Sequence, residues 1–179
     1  MNLRTLLLAA LVALFLSPAI SRADRYRGTG LASVGSIAPD FELPRFDKGK
    51  IKLSTLNAAH PVVVWFTNMC AGCQSQIANF KRLRAKYRAK GVEFFAVSML
   101  GDDRATAEAI MKKHSVDYPV LYDPTGSATM KWAGKYVKGT CPMQNIFVIQ
   151  KGGKIVLADH LPGVEIADLE DAIGKTLGK

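Results

Sequence analysis

Pro61-Val62-Val63-Val64-Trp65-Phe66-Thr67-Asn68-Met69-Cys70-Ala71-Gly72-Cys73 is the stretch that decides the fold. It opens with a continuous β-branched and aromatic run, Pro61 to Thr67. Strands buried on both faces in the middle of a sheet have this composition. The run ends directly at a Cys-x-x-Cys pair. From Cys73 onward the apolar period changes: Ile77, Phe80, Leu83 and Tyr87 recur at helical spacing, and Gly91 suits the end of that helix. A buried strand therefore delivers the chain to two cysteines, and a helix starts there. Reaction sites in open α/β sheets gather at such carboxyl ends.

Working outward, Ala38 to Pro44 alternates apolar and polar residues, Asp47 to Lys50 is a turn, and Ile51-Lys52-Leu53 alternates again, which predicts a short hairpin. Ser54 to Leu56 is a small helical turn. Downstream, Val92 to Ser98 is a second buried strand. Asp102 or Asp103 is positioned to cap a helix reaching about His114. Tyr118 to Tyr122 is a short strand, followed by the turn Asp123-Pro124-Thr125-Gly126 and a short helix over Thr129 to Gly134. Asn145 to Ile149 and Ile155 to Ala158 flank the hairpin turn Lys151-Gly152-Gly153-Lys154, and a helix over Glu165 to Leu177 closes the chain. Helices between strands predict an α/β fold, with a central mixed sheet covered on both faces.

The 179 residues favour one domain, and the first stretch stands apart from it. A basic start, the eleven-residue apolar run Leu6 to Leu16, the break at Ser17-Pro18 and the small-residue site Ser21-Arg22-Ala23 form the pattern of a secretory signal peptide. Eleven helical residues rise only about 16 Å, short of a bilayer core of roughly 30 Å. The competing reading is an uncleaved anchor. We therefore expect residues 1–23 to be a signal peptide, 24–36 a flexible lead-in rich in Gly, Arg and Ser, and 37–179 the folded domain. The expected location is the periplasm of a Gram-negative bacterium.

The net charge is +9, and the densest basic run, Lys81 to Lys90, shares its helix with the apolar stripe. It reads as a solvated helix face, and an export signal argues against a nucleic-acid partner.

Three cysteines are present, two of them only two residues apart. Such a pair closes a tiny loop and restrains an unfolded chain little, so chemistry explains it better than stapling. Cys70 would stand at or just before a helix N-terminus, whose N–H groups and partial positive charge favour a thiolate. Cys73, one turn on, reaches the same sulfur and can resolve a mixed disulfide. A zinc site would want a second Cys or His pair, and His60, His114 and His160 are scattered singly. Thr140-Cys141-Pro142 stands just before the strand at Asn145. X–Pro bonds adopt cis at modest cost, and a cis bond would expose the preceding backbone to an extended partner; an ordinary trans proline entering a strand is the alternative.

With both elements in hand, residues 35–177 resemble the thioredoxin superfamily, in the redoxin branch of TlpA-like and ResA-like thiol–disulfide oxidoreductases and peroxiredoxins. The cues are Ala38-Pro39-Asp40-Phe41-Glu42-Leu43, Val62 to Phe66, the Cys-x-x-Cys motif, Tyr122 to Gly126, and Pro142 before Phe147-Val148-Ile149. The resemblance implies Cys70 as attacking thiol, Cys73 as resolving thiol, and Pro142 as a cis-proline packed on their disulfide. It implies no cofactor beyond that disulfide. The partners expected are disulfide-bearing exported proteins and a membrane or periplasmic electron donor.

The chain departs from the family in several places. Val64 and Gln76 stand where relatives carry a proton-handling acid, Met69 stands where many carry Trp, and Ala71-Gly72 lacks the Pro or His of other motifs. Trp65 is expected in the core. Thr67 matches the Thr-x-x-Cys part of a peroxidase site, which keeps a Cys70 thiol peroxidase as one alternative. Cys141 would face the pair, so Cys70, Cys73 and Cys141 together could hold Cu(I), which keeps copper delivery as another.

Overall fold

The computed structural model describes residues 32–99, 103–134, 142 and 144–178. The proposed signal peptide lies outside the described residues, as do Cys141 and Met143.

A small antiparallel sheet of β1 (Glu42–Pro44) and β2 (Lys50–Lys52) precedes the main one. Helix α1 (Leu53–Ala59) follows, then β3 (Val62–Thr67), α2 (Ala71–Tyr87), β4 (Glu93–Ser98), α3 (Arg104–Lys113) and β5 (Val120–Tyr122). The chain continues through α4 (Ser127–Ala133), β6 (Ile146–Ile149), β7 (Ile155–Asp159) and α5 (Ile166–Thr176). The main sheet has five strands in the order β5-β4-β3-β6-β7. β3 runs parallel to β4 and antiparallel to β6, so the sheet is mixed, as expected.

β3 is the middle strand, and all six of its residues are buried. Side chains alternate across a strand, and here they feed two cores. Val63 and Trp65 pack with Ile77, Phe80 and Leu83 of α2 and with Leu169 and Ile173 of α5. Val62, Val64 and Phe66 pack on the other face with Leu53 of α1, Trp132 of α4 and Phe41 beside the hairpin. Phe80 anchors the first core, its ring 5.3 Å from Trp65, 5.6 Å from Phe94 and 4.8 Å from Tyr118. Trp132 anchors the second, 5.4 Å from Phe66 and 4.9 Å from Phe147. Trp65 is 1% exposed, in the core as anticipated.

Helix ends follow their local chemistry. Asp103 caps α3 by accepting from the Thr106 amide. The α2 segment tightens into a single 3₁₀ turn and stops at Gly91, whose φ of 83° is the left-handed value glycine tolerates.

The lead-in is shorter than the composition suggests. Ala32 is buried, the Gly35 amide donates to the Ile155 carbonyl at 2.8 Å, and the Ile155 amide donates to the Ser36 carbonyl at 2.9 Å. Residues 32–36 therefore pack along the edge strand β7. Backbone hydrogen bonds hold them there, and these leave no apolar periodicity to read. α2 begins at Ala71, directly after Cys70, as the sequence predicts.

Candidate active site

Three strand ends meet where α2 begins. β3 ends at Thr67, and its Phe66 amide donates to the Asn145 carbonyl just ahead of β6. Asp159, at the end of β7, pairs with Ile146. The approach to β6, which contains Pro142, thus arrives at the same end of the sheet as Cys70. Pro142 is half-exposed. The peptide bond preceding it involves Cys141 and lies outside the described residues.

Cys70 is the N-cap of α2, with φ −62° and ψ 170°. Its carbonyl accepts the first helical hydrogen bond, from the Gln74 amide at 2.8 Å. The first turn carries no acidic side chain, while Arg84 and Lys86 occupy the last. The partial positive charge of the helix start is therefore left to act on the cap residue. Cys70 is half-buried and Cys73 fully buried, both as thiols. Ala71 and Gly72 are exposed beside them. A Cβ on Gly72 would stand 3.9 Å from the Cys70 sulfur, an ordinary contact.

The turn from strand to helix depends on Met69. Its φ is 54°, a left-handed backbone that costs a residue with a Cβ roughly 1–2 kcal/mol. Two hydrogen bonds and burial of its side chain hold it there. The Met69 amide donates to Thr67 Oγ1 at 3.0 Å, Gln74 Nε2 donates to the Met69 carbonyl at 2.8 Å, and the Met69 side chain is buried. Thr67 itself is 3% exposed. Its oxygen is engaged in shaping this turn, a role its Thr-x-x-Cys spacing did not suggest.

Asn68 is the polar centre of the site. It is 5% exposed, and its Oδ1 accepts from the Cys70 amide at 3.1 Å and from the Cys73 thiol at 3.6 Å. Val64 and Gln76, the two positions compared for a proton-handling acid, do not fill that role. Val64 is buried in the opposite core, and Gln76 Oε1 accepts from Asn79 Nδ2. Asn68 was legible only as the residue two before Cys70.

Gln74 and His114 were also missed. His114 caps the C-terminal end of α3, and its Nε2 lies 3.0 Å from Gln74 Oε1. The other histidines stand elsewhere: His60 Nδ1 is 3.2 Å from the Gly91 carbonyl, and His160 follows β7. Burial lowers the His160 pKa below its ordinary 6.5, with the neighbouring Asp159 charge working against the shift.

Among the described residues no group of three His, Cys, Asp or Glu side chains could hold a metal ion. The Cu(I) set needs Cys141, outside those residues, and would have to take the Cys73 sulfur from Asn68.

The chain is similar in sequence and fold to known proteins. The chain is 30% identical over 129 residues to the chloroplastic peroxiredoxin Q of Triticum aestivum, covering 70% of this chain and 58% of that protein. It is 27% identical over 126 residues to the thiol-disulfide oxidoreductase ResA of Oceanobacillus iheyensis, covering 68% of this chain and 62% of that one. The chain thus spans about three fifths of the length of these curated relatives. Among solved structures, a Chlorobium tepidum protein assigned as the thiol:disulfide interchange protein DsbE matches with a TM-score of 0.68 at 29% identity. That match covers 82% of this chain and 99% of the other. The thioredoxin-like fold implied by the family resemblance is therefore the one observed. Residues 34–158 match the AhpC/TSA family from the lead-in through β7, and the chain belongs to that family.

Proposed function

We propose that this chain is an exported thiol–disulfide oxidoreductase that reduces or isomerises disulfides of other exported proteins. The observation that carries the reading is the unequal burial of the two sulfurs: Cys70 is half-buried at the helix cap, and Cys73 is 0% exposed one turn on. Only the first can meet a large substrate.

The Cys70 thiolate attacks one sulfur of a substrate disulfide. That S–S bond breaks, the leaving sulfur takes a proton, and a Cys70–substrate disulfide forms. Cys73 then gives up its proton and attacks the Cys70 sulfur, which releases the second substrate thiolate. The substrate gains two electrons and two protons, and Cys70–Cys73 becomes the disulfide. Asn68 Oδ1 holds the Cys73 hydrogen until that step but cannot keep the proton, so solvent or the departing thiolate takes it. The sulfurs carry both electrons, so no further cofactor is required. A membrane or periplasmic donor returns the pair to dithiol. The exposed Ala71-Gly72 flank the approach to Cys70, Pro142 lies in the segment that enters β6 from the same end of the sheet, and the signal-peptide pattern supports a periplasmic setting. No nucleic acid enters this reading.

The test is a titration of the mature protein in graded thiol–disulfide buffers, followed by alkylation and mass measurement. Cys70 and Cys73 should gain and lose two labels together, Cys73→Ser should trap mixed disulfides, and Cys70→Ser should trap none. The likeness to peroxiredoxin Q favours one second reading, a thiol peroxidase. Rapid, saturable consumption of hydrogen peroxide without disulfide reductase turnover would install it. A stoichiometric Cu(I) complex lost in Cys141→Ser would move copper delivery ahead of both.

A further inference from the structure

The peptide unit joining Met69 to Cys70 is gripped at both ends. Its carbonyl accepts from Gln74 Nε2 at 2.8 Å, and its N–H donates to Asn68 Oδ1 at 3.1 Å. Gln74 is in turn fixed on its far side. Because its NH₂ donates to a carbonyl, its Oε1 faces His114, which requires His114 Nε2 to carry a hydrogen. His114 is well anchored, its amide donating to the Ile110 carbonyl at 3.0 Å. The next residue, Ser115, has a φ of 46°, and its carbonyl accepts from Lys81 Nζ of α2 at 2.8 Å. The described residues contain two non-glycine positions with positive φ, Met69 and Ser115. α2 reaches a side chain to the carbonyl of each.

We propose that Gln74, aligned by His114, is a positioning residue that sets the reactivity of Cys70 by holding the Met69 carbonyl. The inference rests on the reading of Cys70 as the attacking thiol. A methionine at φ 54° relaxes toward negative φ once its carbonyl is released. That rotation swings the Cys70 Cα–Cβ bond away from the start of α2. The helix end acts on charge only within about one turn, so a small swing takes the Cys70 sulfur out of its reach. Water is poorly placed to replace Gln74. The residue borders a cavity of about 10 Å³ with Met69, Cys73, Ile110 and Met111, barely one water's space and almost wholly apolar.

The experiment compares wild type, Gln74→Met, His114→Phe and the double variant. It measures the alkylation rate of Cys70 at neutral pH by peptide mass analysis, the midpoint of the Cys70–Cys73 couple, and the melting temperature. Gln74→Met keeps length and volume while removing the donor. It should slow Cys70 alkylation about threefold to tenfold and shift the couple by a similar factor toward disulfide. His114→Phe should move both readouts the same way by less, and the double variant should match Gln74→Met, because His114 acts only through Gln74. Gln74→Asn, one methylene short of its partners, repeats the comparison should Gln74→Met not fold. A folded Gln74→Met with wild-type alkylation and midpoint overturns the proposal, whatever its melting temperature; so do His114 effects that add in full. A reversible wild-type couple with superimposable variants sinks the positioning role alone. Shifted alkylation without a reversible wild-type couple sinks the oxidoreductase reading and keeps the positioning role.

Discussion

The Cys73 thiol donates to Asn68 Oδ1 at 3.6 Å, and Asn68 reaches it from five residues upstream, across the start of α2. The same oxygen accepts the Cys70 amide, so one buried acceptor serves both cysteines. An amide oxygen can hold a hydrogen in place without carrying a charge into the core. Asn68 thus takes the Cys73 hydrogen where neither Val64 nor Gln76 can.

Asn68→Leu keeps the volume and removes the acceptor of the Cys70 amide and the buried Cys73 thiol. We expect a loss of about 1–3 kcal/mol in urea unfolding. Mixed disulfides with Cys70 should also persist longer, read as slower release of a trapped peptide, because Cys73 loses its orientation. Unchanged release kinetics would reduce Asn68 to a structural part.

Gly72 is not protecting an unusual backbone. Its added Cβ would make only an ordinary contact with Cys70 Sγ, at 3.9 Å. Gly72→Ala should therefore raise stability by about 0.5 kcal/mol, through helix propensity in an exposed first turn. Cys70 alkylation should stay within about a factor of two, the precision of such a rate comparison. A larger drop would mean that the thiol is approached over Gly72.

Phe80 joins α2 to the sheet beneath the reactive turn and is 0% exposed. Phe80→Ala should cost about 3–5 kcal/mol. It should also disturb the near-ultraviolet circular dichroism of Trp65, its ring neighbour. Denaturant melts together with that spectrum check both.

Burial holds the His160 pKa below 6.5, against the opposing pull of Asp159. The unfolded chain then binds the proton more readily than the folded one. The contribution of His160 is intact above about pH 6.5 and declines as the pH falls below it. Melting temperatures from about pH 8 to about pH 5 should fall less steeply for His160→Gln than for wild type. Parallel curves would show that other groups set the acid limb.

The parts of this molecule that could be read in advance share one property: they are local. The Val62–Thr67 strand, the stripe Ile77-Phe80-Leu83-Tyr87 and the Asp103 cap each announce themselves within a few residues. The Cys70–Cys73 pair does so as well, through its spacing and its place between strand and helix. Hidden from view were contacts between residues far apart in the chain. Gln74 and His114 are forty positions apart, and each alone is an ordinary polar residue on a helix. Asn68 and Thr67 gave no sign of their roles because these depend on the reversal at Met69. A positive φ at a methionine contradicts local preference and is imposed by neighbours. The edge contacts of Ser36 and Gly35 with Ile155 escaped for a similar reason, being made by backbone atoms common to every residue.

The alternation of β3 between two cores has a consequence for how this gene can change. Thr67, Asn68 and Met69 count out the interval between a strand locked on both faces and the cap of α2. Inserting or deleting one codon there would either turn Trp65 into the territory of Trp132 or rotate Cys70 away from its helix. Substitutions at Ala71 and Gly72 change neither count nor facing. Variation in this family's motif is therefore expected to accumulate between the cysteines, while the length of the approach to them stays fixed.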